Sequence, residues 1–106
     1  MDDNEEIVGE TIDAEGRRVV LLARIWHGKI LVDHAELRPF LEGLLMAVTA
    51  PDIVRRDVHP DRQHFFANHL GPSRWLRVVV SYEQVPARII TAHGYRKDPL
   101  RWKPSI

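Results

Sequence analysis

The 106 residues suffice for one domain and leave little room for a second; 44% hydrophobic and 28% charged residues exclude wholesale disorder. The absence of cysteine excludes disulfides, thiolate metal sites and a thiol nucleophile, and no apolar run reaches the roughly 18 residues of a membrane-crossing helix. The formal net charge of zero hides an asymmetry: residues 16–106 carry fifteen basic against eight acidic side chains, a net of +7, behind an acidic start. Such a body attracts anions, although a merely solvated surface has the same composition.

In chain order, EIVGETIDAEGRRVVLLARIW reads as two strands reversing at Asp13-Ala14-Glu15-Gly16, with Gly16 supplying a positive φ. The second arm, Val19 to Trp26, is apolar enough for a buried strand, with a helix as the alternative. Trp26, Ile30 and Leu31 predict a short helix ending near His34. A longer helix follows, with Leu37, Phe40, Leu41, Leu44, Leu45 and Val48 as its core stripe, Pro39 in its first turn and Pro51 after its end. IVRRDVH and QHFFANHL form a hairpin around PDR, and GPS turns the chain into WLRVVVSYE. This Val-rich strand is the strongest strand signal and is expected to be central. QVP then leads to ARIITAHGY, and the basic tail RKDPLRWKPSI is expected to lie over the surface or to be mobile. The expected fold class is α+β: an N-terminal β-hairpin extension (1–25), two helices and a four-stranded antiparallel meander in the core (26–95), and a tail (96–106).

Six histidines are candidates for chemistry. His59, His64 and His69 are evenly spaced, but a step of five alternates faces along a strand, and no HExxH or CxxC pattern accompanies them; no metal site is predicted. His27, Lys29 and His34 surround the short helix, and seven residues separate the two histidines, which a continuous helix would place on one face. Imidazole can move protons in phosphodiester cleavage; equally, His34 followed by Glu36 is a plain polar helix junction. Arg55, Arg56, Arg62, Arg74, Arg77 and Arg88 are spread over the meander. Alternation puts Trp75, Arg77, Val79 and Ser81 on one face, and separates Arg88, Ile90 and Ala92 from Ile89, Thr91 and His93. Arg77, inside an apolar strand, must either be paired, with Asp57 or Glu83 as candidates, or face an anion-binding cleft. Of the adjacent Phe65 and Phe66, one can face the core and the other can stack on a base.

The stretch from Trp26 to His93 resembles the phage-associated barnase–EndoU–colicin–RelE-like nuclease families. The likeness lies in a Trp, then ILxxH with an acidic residue, a Leu-rich helix, a PDxVRxD run, an aromatic-containing strand, a Val-rich strand and a closing IITA strand. The resemblance implies a barnase/RelE-like fold and a metal-independent endoribonuclease that needs no cofactor. By its motif positions His34 matches the family-like histidine, Glu36 the acidic residue near it, Arg56 the basic residue after PDxV, and Thr91 the closing-strand hydroxyl. Phe65 stands where a tyrosine is expected, Lys29 where a histidine precedes Ile-Leu, and Ala35 where a proline follows His34. Residue chemistry and the resemblance together give His34, Lys29, Arg56, Arg77 and Thr91 as the candidate catalytic set, with His27, Arg55, Phe65 and His93 binding substrate. The resemblance implies a bacterial toxin with RNA as substrate and an antitoxin partner, while the acidic start, the lack of cysteine and the lack of a long apolar run lead us to expect a cytoplasmic protein with no membrane partner. A structural protein that forms a homodimer through the N-terminal hairpin is a further reading. The alternative is an inactive RNA- or protein-binding module on the same fold.

Overall fold

The computed structural model describes residues 6–104. Strands β1 (Ile7–Ile12) and β2 (Arg18–Leu22) form the predicted first hairpin, with Gly16 at φ 85° in its turn. A helical run, α1, covers residues 23–33, with a π turn at Trp26–Ile30 between α-helical ends. A 3-10 segment, Ala35–Phe40, contains Pro39 and leads into α2 (Leu41–Thr49). Strands β3 (Ile53–Arg56), β4 (Arg62–Asn68), β5 (Trp75–Ser81) and β6 (Ala87–Tyr95) follow, and a 3-10 turn at Pro99–Arg101 ends the described chain.

The strands make one mixed six-stranded sheet in the order β1-β2-β6-β5-β4-β3. The sequence reading set the first hairpin apart as an extension. Here β2 instead pairs in parallel with β6, through Val19–Ala87 and Val20–Arg88, so the hairpin belongs to the same sheet. The strand signal running on to Trp26 stops at Leu22, because the chain turns into α1.

One face of the sheet is apolar. Phe65, Ala67, Leu76, Val78, Val80, Ile89 and Ala92 pack with Leu44, Ala47 and Val48 of α2 and with Ile30, Leu31 and Leu37. Burying a large aliphatic side chain contributes about 1.5–3 kcal/mol, so this layer dominates folding. Gly43 lets α2 lie directly on the Leu70 carbonyl, where any Cβ would collide with backbone.

The first hairpin is pinned by Asp13, which is 5% exposed. Its carboxylate accepts from the Glu15 and Arg17 backbone N–H groups, from the Arg17 guanidinium at 2.8 Å and from the Tyr82 hydroxyl at 2.8 Å. Burial would raise its pKa, but these hydrogen bonds outweigh burial and hold the carboxyl below the ordinary carboxylate range. Burial and the same bond push the Tyr82 hydroxyl upward, so it stays a donor.

Candidate functional site

The face of the sheet away from α2 is polar, and strand register arranges it in rows. Arg62, Ser81 and Arg88 are neighbours across β4, β5 and β6; the next row is Arg55, His64, Val79 and Thr91, and the third holds Phe66, Arg77 and His93. Asn68, Trp75 and Tyr95 close the series. Rows two residues apart lie about 6.7 Å from each other.

A register shift between Val79 and Val80 produces this arrangement. Val79 faces Thr91 while Val80 faces Ile89, which leaves Ile90 unpaired as a bulge. Simple alternation separates Arg88 from Thr91 and His93; the bulge brings all three to the polar face. It also frees the Ile90 carbonyl, which accepts from Lys29 Nζ at 2.9 Å and so ties α1 to this strand.

Arg77 is the hub. A guanidinium can only donate, so its Nε bond to His64 Nδ1 at 2.9 Å places the His64 proton on Nε2, which donates to Asp57 at 2.8 Å. His93 Nδ1 lies 2.7 Å from the Gly94 carbonyl, which can only accept. His93 Nε2 therefore carries the lone pair that accepts from Arg77 Nη1 at 2.9 Å. Both imidazoles are held neutral. Burial is the largest cause of the lowered His64 and His93 pKa values; the bonds to Asp57 and Gly94 oppose it and the Arg77 charge reinforces it. Burial raises the Asp57 pKa, but hydrogen bonds from His64 and the His59 N–H reverse that and leave it lowered. Arg77 spends two of its five N–H donors on histidines, and the other three have no hydrogen-bond partner among the described residues.

The sequence reading offered Arg77 a direct partner in Asp57 or Glu83. Asp57 is reached through His64, and Glu83 pairs with His59 at 2.9 Å. The tail covers part of the site: the Trp102 ring sits 4.2 Å from His64, centre to centre, and 5.2 Å from the Arg77 guanidinium. Arg55 Nη2 donates to the Trp102 carbonyl at 3.2 Å.

His34 follows α1 and stacks on His93 with ring centres 5.5 Å apart, while its Nδ1 lies 3.4 Å from a Glu36 carboxylate oxygen. His34, Lys29, Arg77, Thr91, Arg55 and His93 are therefore gathered on or beside the polar face. Two expected members are elsewhere. Arg56 pairs with Gln63 and Phe65 with Val54, and both point to the α2 side, Phe65 within the apolar core and Arg56 at a cleft beside Asp13 and Glu15. Strand alternation accounts for both displacements, and it is Phe66 that reaches the polar face, edge-on to Tyr95. His27 is exposed and contacts no other described group by hydrogen bond, ion pair or ring stacking.

Sequence reasoning missed Asp57 and His64 as a pair, and Trp102 altogether. A signal exists for the first two: Asp57 and His64 flank the turn Pro60-Asp61-Arg62 of a hairpin. His59, Asp61 and Glu83 bring three ligand atoms within 4.8 Å of one another at the surface. His59 already bonds Glu83 through Nε2 and accepts from the Asp61 N–H at 3.3 Å, so hydrogen bonds satisfy it without an ion. No described helix is long and apolar enough to cross a membrane. Comparison of the chain with known protein families, curated proteins and solved structures finds no match.

Proposed function

We propose that this chain is a metal-independent endoribonuclease-like domain of barnase–RelE-like type that engages RNA on the polar sheet face, and that it acts as a bacterial toxin restrained by an antitoxin. The observation that carries this reading is Arg77, a half-buried guanidinium with three hydrogen-bond donors left over, fixed by two neutral histidines, on one of which His34 stacks. Fixed cationic donors of this kind suit a phosphate on which charge builds during reaction.

In this reading His34 accepts the proton of a ribose 2′-hydroxyl, whose oxygen attacks the adjacent phosphorus as the bond to the 5′-oxygen breaks. The proton that His34 takes from the 2′-hydroxyl passes back to the departing 5′-oxygen, and the products are a 2′,3′-cyclic phosphate and a 5′-hydroxyl. Arg77 and Lys29 stabilise the negative charge, and Thr91, across from Val79, orients the scissile group. His93 and His64 position Arg77: each ring nitrogen already has a partner, so neither is free to exchange protons.

That same occupancy favours a second reading, an RNA- or protein-binding module without cleavage, because it leaves His34 to handle both protons. Incubating single-stranded RNA with the purified protein in chelator separates the two. The nuclease reading predicts fragments ending in 2′,3′-cyclic phosphate, at least a hundredfold fewer with His34→Ala, and growth arrest on expression that His34→Ala relieves. Intact RNA together with harmless expression contradicts it.

A further inference from the structure

At the far end of the polar face the row Arg62–Ser81–Arg88 forms the floor of a cleft of about 350 Å³. Arg24 and Lys29, both exposed on α1, line it from the side, so with Arg62 three cationic side chains converge on one small volume; Arg88 beside them has a partner of its own. Among the described residues the acid lining it is Glu83, which is engaged with His59. Ser81 is 3% exposed, and the Arg62 Nε is buried with no hydrogen-bond partner. Lys29 uses one of its three protons on the Ile90 carbonyl. Converging like charges and an unsatisfied buried donor both cost free energy unless an anion completes the site.

We propose that this cleft is a phosphate-binding subsite that holds one backbone phosphate of an RNA strand. Its ligand identity rests on the ribonuclease reading; the anion chemistry stands without it. Ser81 lies four residues from Arg77 on the same face of β5, about 13 Å along the strand, so one nucleic-acid strand can lie over both. Arginine suits the role because its planar fork meets phosphate oxygens in pairs, and the Ser81 hydroxyl adds a neutral donor at the floor. In this assignment the Arg77 end does the chemistry and the Arg62 end sets the register of the strand. Lys29, bound to the bulge carbonyl between them, belongs to both.

The test combines a binding and a kinetic measurement. Inorganic phosphate titrated into the full chain is expected to shift the amide resonances of Ser81, Glu83 and Ile90, and Arg62→Gln is expected to weaken that binding at least tenfold. Arg24→Gln, at an exposed position where folding is not at stake, is expected to weaken it several-fold. On a long single strand Arg62→Gln is expected to raise KM about tenfold, with cleavage of a dinucleotide unchanged. If phosphate shifts none of these amides and both variants bind and cut long RNA as the parent does, the subsite is overturned while the ribonuclease reading stands. If phosphate binds and Arg62→Gln abolishes it but no RNA is cut, the anion site stands and the ribonuclease reading falls. If phosphate binds but single-stranded RNA neither competes with it nor shifts the same amides, the ligand is a small free phosphate compound and the RNA assignment is overturned.

Discussion

The Asp13 cluster at the first hairpin and the Arg77 cluster on the polar face both place a charge in a partly dehydrated setting, and they dispose of it differently. Asp13 is an acceptor surrounded by donors: two backbone N–H groups, a guanidinium and a phenol, with its charge offset by Arg17. Arg77 is a donor whose partners are two neutral imidazoles, with the balancing Asp57 carboxylate one residue further away. The first cluster is closed in both charge and hydrogen bonds. The second leaves a cation with spare donors at a surface, which is what a ligand site requires and a structural staple does not.

Substitutions separate the two. Asp13→Ala strands the Tyr82 hydroxyl and two turn N–H groups and is expected to cost about 3 kcal/mol of stability, read by denaturant unfolding, while the folded fraction keeps its RNA affinity. Arg77→Gln is expected to do the reverse. Stability should fall by only about 1–2 kcal/mol, while affinity for single-stranded RNA drops at least tenfold. A loss of stability at Arg77 as large as that at Asp13 would make it a second staple.

Acidification should undo the clusters in different windows. His64 and His93 have folded pKa values below the ordinary 6.5, so the unfolded chain binds protons first as pH falls. Their contribution is complete above about pH 6.5 and is lost below it as each neutral ring is forced to protonate against Arg77. Asp13 has a lowered pKa, so its contribution is present above about pH 4 and is lost further down, as pH falls through its folded value. Unfolding free energy measured from pH 8 to pH 3 should therefore decline in two stages. His93→Gln should flatten the upper one, and a decline confined to the lower stage would show that the histidines are not held neutral. Tyr82→Phe, which removes one hydrogen bond to the Asp13 carboxylate, is expected to cost about 1.5 kcal/mol, half the loss at Asp13.

What the sequence made legible was local. The Val-rich β5, the Gly16 reversal and the hairpin at Pro60-Asp61-Arg62 follow from residue chemistry within a few positions, and each is present. Alternation also correctly put Arg77, Val79 and Ser81 on one face. What failed depended on partners far along the chain. Nothing near Val19 or Val20 announces a parallel pairing with Ala87 and Arg88. The Ile90 bulge reverses strand parity without a glycine or proline to mark it, so Arg88 and Thr91 meet on the face where alternation separates them. Motif matching joined Arg56 and Phe65 to a site on the other side of the sheet, because a linear pattern carries no face. Trp102, read as part of a surface tail, packs over His64 by a contact between residues nearly forty positions apart.

The measurement that bears most directly on the central claim is the affinity of a labelled single-stranded RNA for the parent chain and for Arg77→Gln, read by fluorescence anisotropy at equal folded fraction. With spare Arg77 donors gripping phosphate, the variant binds at least tenfold more weakly while its amide spectrum stays native outside the His64–His93 neighbourhood. Equal affinity of the two proteins would contradict the account and leave Arg77 a structural group.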